Sequence, residues 1–227
     1  KKSSERPNRY SCEKELLEDL YLVRDSLGQD GDTVLMEFGL DDFIRLVETF
    51  GFFLVNLDIR EESTKHTNVI KTLISKIKKV DYGKLEESEK VEILTEMIDS
   101  DDNFSEQYEL LADEEKVIVD VFKTMILLRD QVSKDAFGHY IISMTHDASH
   151  VLEVMILAKM AGLLGKSSNG EIFCNILITP LFETIDDLAR IKIILESLFS
   201  NEVYIKFLKC HEAVSYTHLT LPTIVGV

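Results

Sequence analysis

The stretch Asn175–Leu188, N-I-L-I-T-P-L-F-E-T-I-D-D-L, places a single acid where an apolar run stops. Its opening residues, with two isoleucines, read as a short strand buried on both faces. Pro180 ends the ladder, because it has no N–H to donate and its φ is fixed. Glu183 follows. Thr184, with Asp187 three residues on, is a variant capping box opening a helix that carries Ile185, Leu188, Ile191 and Leu195. A carboxylate between a strand and a helix is where α/β proteins hold ligands. Arg60 occupies the same kind of position after the mostly apolar Phe52–Ile59, although an arginine before Glu61 and Glu62 is commonly a solvated loop charge. Glu183, Asp186 and Asp187 are also favoured by the positive end of a helix. His146 and His150, four apart with an acid between them, echo the H-E-x-x-H motif of zinc hydrolases. Here the acid is aspartate, the pair falls at a helix start and no third ligand stands out, so capping by Asp147 or Ser149 is the ordinary explanation. His66 and His139 are expected to be structural or at the surface.

The elements that must position these groups follow from periodicity. Leu16, Leu20, Val23 and Leu27 form one helical stripe with Gly28 as its cap. Leu40, Phe43, Ile44, Val47 and Phe50 form a second, closed by Gly51. Phe52–Ile59 predicts a strand. A helix from His66 to about Val80 turns Val69, Leu73 and Ile77 inward, and Asp81–Glu106, rich in acid and lysine, predicts solvated helix and loop over the surface. Val117, Val121, Thr124 and Leu128 mark a longer helix from about Ala112 to Val132. Gly138–Met144 is a second strand; a helix then runs through Val151, Leu152, Met155, Ala158 and Met160 to Gly162, and Lys166–Gly170 is a loop before the third strand.

Three strands that each run into polar residues and then a helix predict a helix-rich α/β fold with a parallel sheet or barrel. Arg60, the Ser143–Asp147 segment and Glu183 would lie just past the carboxyl ends of their strands, the face where a (β/α)8 barrel gathers its functional groups. Three strands cannot close a barrel of eight. The expectation is therefore a partial (β/α)8-type barrel over 51–210, with a helical lead-in over 1–50 and a helical excursion over about 66–135. Val214–Thr223 has no periodicity and resembles translated adapter DNA, so 211–227, with His211, His218 and Pro222, are set aside as a non-native tail.

Composition narrows the classes. With 227 residues, 45% of them hydrophobic and 29% charged, the chain is long enough for a good-sized globular core. A net charge of −16 argues against nucleic acid, which needs a basic footprint, yet local arginines can still hold an anion in a cleft. No apolar run approaches the ~20 residues of a membrane span, and the polar N-terminus shows no signal peptide. Cys12, Cys174 and Cys210 lack paired spacing, which favours a reducing, cytoplasmic setting.

Four blocks in order resemble the phosphoenolpyruvate carboxylase family: E-L-L-E-D-L-Y-L-V-R-D-S-L-G; V-E-T-F-G-F-F-L-V-N-L-D-I-R-E-E-S-T-K-H-T; Y-I-I-S-M-T-H-D-A-S-H-V-L-E-V; and P-L-F-E-T-I-D-D-L, over roughly residues 10–210. The resemblance implies a mostly helical incomplete barrel, a homotetramer in full length, that joins phosphoenolpyruvate and bicarbonate into oxaloacetate and phosphate with Mg²⁺ or Mn²⁺. By the same resemblance Arg60 contacts the substrate phosphate and Glu183 ligates the metal. Ser143 and Met144 share that face without an implied role. The family's catalytic histidine belongs upstream of Lys1, and its second metal carboxylate and glycine-arginine loop belong at or beyond the tail. The chain alone is thus expected to be inactive. Two other readings stay open: a zinc-dependent hydrolase using His146 and His150, and a non-catalytic oligomerisation piece.

Overall fold

The computed structural model describes residues 10–31, 34, 36–167 and 169–210; the expectations for 211–227 lie outside them. The chain divides into two compact units, Lys1–Leu57 with Leu128–Ala136, and Asp58–Leu127 with Phe137–Val227. In the first, helix α1 (Glu13–Asp30) packs on α2 (Asp41–Phe50) through a π-turn at Met36–Leu40. α1 does not stop at Gly28. It runs on to Gly31, whose φ of 81° lets its N–H reach back to the carbonyls of Leu27 and Gly28. In α2 the expected stripe buries Ile44 and Val47, and Gly51 closes the helix.

Phe52–Val55 is not a strand. These residues turn, Leu54 adopts a φ of 68°, and its side chain is 67% exposed. A run of apolar residues makes a strand only where a neighbour offers a ladder, and here pairing starts at Leu57. Strand β1 is therefore Leu57–Glu62, shifted toward the charged end of the run.

The second unit is built around one helix. α6 (Ala148–Ala161) is apolar on all sides and almost wholly buried, as expected of a core helix. It packs against α3 (Ser63–Ile77), α4 (Glu87–Asp99), strand β5 (Leu177–Pro180) and α7 (Ile185–Ser200), and α4 in turn meets α8 (Glu202–Leu208). The expectation that Asp81–Glu106 lies solvated over the surface is corrected: α4 buries Leu94, Met97 and Ile98 against α6, a narrow apolar stripe within an acidic helix. α5 (Asp113–Gln131) spans the expected residues but faces inward with Ile118, Val119, Phe122 and Met125, while Val117 is 61% exposed. Two overlapping apolar stripes one residue, or about 100°, apart were available, and the one carrying the stacked Phe122–Tyr140 pair is buried.

Strand β2 (Phe137–Ser143) lies between β1 and β5, and β2 and β5 run parallel with His139 opposite Leu177 and Ile142 opposite Pro180. The fold is helix-rich α/β with a small parallel sheet. β5 is half-buried rather than buried on both faces, because it holds an edge of this sheet; Pro180 is tolerated there as its last residue. Between α6 and β5 the chain makes an antiparallel hairpin, β3 (Leu164–Lys166) with β4 (Ile172–Cys174), around the expected loop. In α7 the expected Thr184–Asp187 capping box is present, but Ile185 is 85% exposed and the buried positions are Asp187, Ile194 and Leu198. No helix of the described residues is long and apolar enough to cross a membrane.

The core holds a buried acid. Glu153 of α6 is 1% exposed; its carboxyl accepts from the Tyr82 hydroxyl at 2.8 Å and meets the Thr67 hydroxyl at 2.7 Å, while Thr67 also reaches the Ser63 carbonyl at 3.1 Å. A protonated Glu153 satisfies every group: it donates to Thr67, Thr67 donates to Ser63, and Tyr82 donates to the remaining carboxyl oxygen. Burial pushes its pKa up to about 7 against the opposing pull of the Thr67 and Tyr82 hydrogen bonds, with smaller contributions from Glu87, which raises it, and Lys90, which lowers it. A folded-state value above the ordinary 4.5 means the native protein holds the extra proton, so its stabilising contribution is complete below pH 4.5 and is lost as pH rises through 7. The Glu153→Gln variant, whose amide copies the protonated pattern, is expected to gain about 1–3 kcal/mol over the parent between pH 5 and pH 8. Urea unfolding of both at the two pH values measures it; parallel pH slopes would refute it.

Candidate functional site

Arg60 is not past the end of its strand but within β1, where Leu57, Asp58, Arg60 and Glu62 are exposed and Ile59 and Glu61 half-buried. The side chain crosses to β2. Its Nε donates to the Ser143 hydroxyl at 2.6 Å, and one terminal nitrogen lies across the Glu183 carboxylate, 3.0 Å from Oε1 and 3.1 Å from Oε2. Residues 123 positions apart thus meet at one rim. Alternation on β2 explains Ser143: Tyr140 and Ile142 point into the core, so His139, Ile141 and Ser143 share the other face. Glu183 arrives because the parallel pairing outlasts the strand: Leu181 donates to the Ile142 carbonyl at 2.9 Å, and Thr145 to the Leu181 carbonyl at 3.1 Å. The Thr184 cap then starts α7 directly behind the carboxylate.

Met144, like Ser143, has no role implied by the sequence. Its φ of 55° is left-handed, which costs a non-glycine residue roughly 1 kcal/mol or more. That conformation aims its N–H at Glu183 Oε1 (3.2 Å) and its carbonyl at the Ser63 hydroxyl (2.7 Å) at the start of α3. The pattern S-M-T carries no glycine or asparagine to announce such a turn. Around the rim the ion pair is half-open, Arg60 at 56% and Glu183 at 32% side-chain exposure.

The histidine pair serves a different purpose. His146 Nδ1 lies 2.6 Å from Asp187, which is buried at the start of α7, and His150 Nδ1 accepts from the His146 backbone N–H at 3.2 Å. The two rings meet edge-on with centroids 5.9 Å apart. Asp147 occupies the N-cap position of α6 without capping it: its carboxylate accepts from Arg190 at 2.6 Å. Ser149 likewise gives its hydroxyl and N–H to Glu87. The capping expected from Asp147 and Ser149 is replaced by two cross-links, His146–Asp187 and Asp147–Arg190, which tie the loop after β2 to the first turns of α7. His66 is fully buried with Nε2 2.8 Å from the Tyr140 hydroxyl, and burial lowers its pKa to about 4; His139 Nδ1 lies 2.8 Å from the Thr179 hydroxyl. Cys174 is half-buried and its thiol is pushed up to about 11 by burial, so it stays protonated.

For a divalent cation the available donors are hard oxygens: the Glu183 carboxylate with the Ser143 hydroxyl beside it. No group of three or more His, Cys, Asp or Glu gathers among the described residues. One accessible carboxylate fits a cation such as Mg²⁺ or Mn²⁺, which keeps several waters and takes one or two protein carboxylates. The histidine pair, each Nδ1 engaged in holding the loop, fits a tetrahedral zinc site poorly.

A small parallel sheet thus carries an arginine paired with a glutamate on one rim, ahead of a capped helix in a helix-rich α/β fold. The family model of phosphoenolpyruvate carboxylase matches residues 1–216. Curated proteins named phosphoenolpyruvate carboxylase are similar: that of Synechococcus sp. (strain WH7803) is 35% identical over 197 residues, and that of Aliivibrio salmonicida (strain LFI1238) 34% over 195. Each alignment covers 86% of this chain but only 19% and 21% of the respective relative. The chain belongs to the phosphoenolpyruvate carboxylase family and spans about a fifth of the length of these relatives.

Proposed function

We propose that this chain is the segment of a phosphoenolpyruvate carboxylase that supplies one substrate-phosphate contact, Arg60, and one metal ligand, Glu183. The full enzyme joins bicarbonate to phosphoenolpyruvate and releases oxaloacetate and phosphate, feeding the tricarboxylic acid cycle from the cytoplasm as a homotetramer. The single observation that carries this reading is the meeting of Arg60 and Glu183 at 3.0 Å beside Ser143. In the same reading the small sheet is part of a (β/α)8-type barrel over 51–210, with 1–50 as helical lead-in.

Arg60 binds the phosphate dianion through the fixed fork of its guanidinium, and Ser143 fixes its approach by accepting from Nε. The Met144 N–H holds Glu183 in place for the cation. Mg²⁺ or Mn²⁺, when bound, supplies Lewis-acid stabilisation of charge on the oxygens of the reacting groups. Bicarbonate attacks the phosphoryl group, giving carboxyphosphate and the enolate of pyruvate, and carbon dioxide from carboxyphosphate is captured by the enolate. The rim's fixed charges stabilise negative charge as it moves between these groups.

The test is Arg60→Lys in a full-length phosphoenolpyruvate carboxylase carrying this segment. A lysine keeps the charge but loses the fork, so KM for phosphoenolpyruvate is expected to rise about tenfold. An unchanged KM would remove Arg60 from the site.

A further inference from the structure

The Arg60–Glu183 contact has a consequence for how the two ligands bind. Glu183 Oε1 already accepts from both Arg60 and Met144, and Arg60 also lies on Oε2. A carboxylate has room for about four acceptor contacts, and three are taken. A cation approaching these oxygens meets a guanidinium of its own sign about 3 Å from them. Arg60 in turn spends on Glu183 one of its two terminal nitrogens, and its Nε on Ser143.

We infer that the Arg60–Glu183 ion pair is a self-occluded state of the site, in which each side chain stands in for the other's ligand, so that cation and phosphate-bearing substrate release each other's binding group. The inference rests on the reading of Arg60 as phosphate contact and Glu183 as metal ligand. Geometry supports an opening motion confined to one side chain. Arg60 is 56% exposed and not enclosed by the core, whereas Glu183 is held from behind by the Met144 N–H and by the helix that starts at Thr184. Once Arg60 turns to a phosphate, Glu183 is left charged and uncompensated, and a cation is drawn to it. Linkage then requires the reverse: a bound cation frees Arg60 and tightens the anion by the same factor. An ion pair this exposed sets the coupling at about three- to fivefold.

The deciding measurement is Mn²⁺ binding, read by electron paramagnetic resonance, in a full-length phosphoenolpyruvate carboxylase carrying this segment, with and without phosphoenolpyruvate. Arg60→Gln is expected to bind Mn²⁺ about three- to fivefold more tightly than the parent without substrate, and to lose most of the tightening that phosphoenolpyruvate gives the parent. Arg60→Lys, which keeps the charge but not the planar contact, is expected to fall between the two. It carries the test if circular dichroism shows Arg60→Gln misfolded. Unchanged or weaker Mn²⁺ binding in the folded Arg60 variant without substrate overturns the inference. Glu183→Gln separates the two levels: if it abolishes Mn²⁺ binding while the Arg60 variants match the parent, the coupling alone fails. If it leaves Mn²⁺ binding intact, the ligand assignment fails and the inference with it.

Discussion

In a full-length phosphoenolpyruvate carboxylase carrying this segment, Glu183→Ala is expected to raise the metal concentration for half-activity sharply and to lower kcat/KM about a hundredfold or more, equivalent to about 2.7 kcal/mol of transition-state stabilisation. The same change is expected to leave the fold nearly untouched. The carboxylate is one-third exposed and its partner more than half exposed, and pairs of that kind contribute about 0–1 kcal/mol to stability. The helix behind it keeps its own cap, since Thr184 and Asp187 bond each other rather than Glu183. Steady-state rates across a Mn²⁺ titration, together with a thermal melt, separate the two effects. Unchanged constants with an unchanged melt would remove Glu183 from the metal site; a collapsed melt would show that the residue holds the fold instead.

What could be read ahead of the structure follows the range of the forces involved. Local signals carried well: Thr184 and Asp187 cap α7, Gly51 and Gly162 end their helices, and the apolar run from Val151 to Met160 is a buried helix. Register and facing carried less well, because they depend on partners distant in sequence. Phe52–Val55 is more apolar than Asp58–Glu62, yet the latter lies in the strand, since β2 is its neighbour in the sheet. Val117 and Ile118 are both apolar, and the stripe that turns inward is the one whose Phe122 stacks on the Tyr140 ring. The acid-rich α4 looked solvated because its buried face is only Leu94, Met97 and Ile98.

The site divides along the same line. Arg60 and Glu183 stood out as charges at the ends of apolar runs, and family resemblance assigned them roles. Ser143 was expected just past the end of its strand and is instead the last residue of β2. The Met144 turn, the His146–Asp187 contact and the Asp147–Arg190 contact join residues with no spacing relation, so nothing in the linear pattern marks them. Asp187 shows how one residue can satisfy two readings. It caps its own helix, as the dipole argument expects, and its second oxygen holds His146.

The largest stability effect expected in this chain comes from a charge far from that rim. Lys159, near the end of α6, is 5% exposed, and its ammonium donates to the carbonyls of Met97 (2.7 Å), Ile98 (3.0 Å) and Ser100 (2.5 Å). These are the carbonyls that the end of α4 leaves without intrahelical partners, and the helix dipole makes them a cation site. Burial, with Lys166 nearby, lowers the ammonium to about 8, so it remains mostly charged at neutral pH and must stay bonded. Methionine fills a similar volume but donates nothing. Lys159→Met therefore exchanges the cost of a buried cation for three acceptors without donors, a net loss of about 3–5 kcal/mol. Lys166 bonds the neighbouring Asp99 carbonyl from a one-third exposed position, so Lys166→Met is expected to cost less than about 1 kcal/mol. Urea unfolding of the two variants beside the parent distinguishes buried from exposed capping. A Lys159→Met chain within 1 kcal/mol of the parent would mean that water reaches the end of α4 and that the lysine is replaceable there.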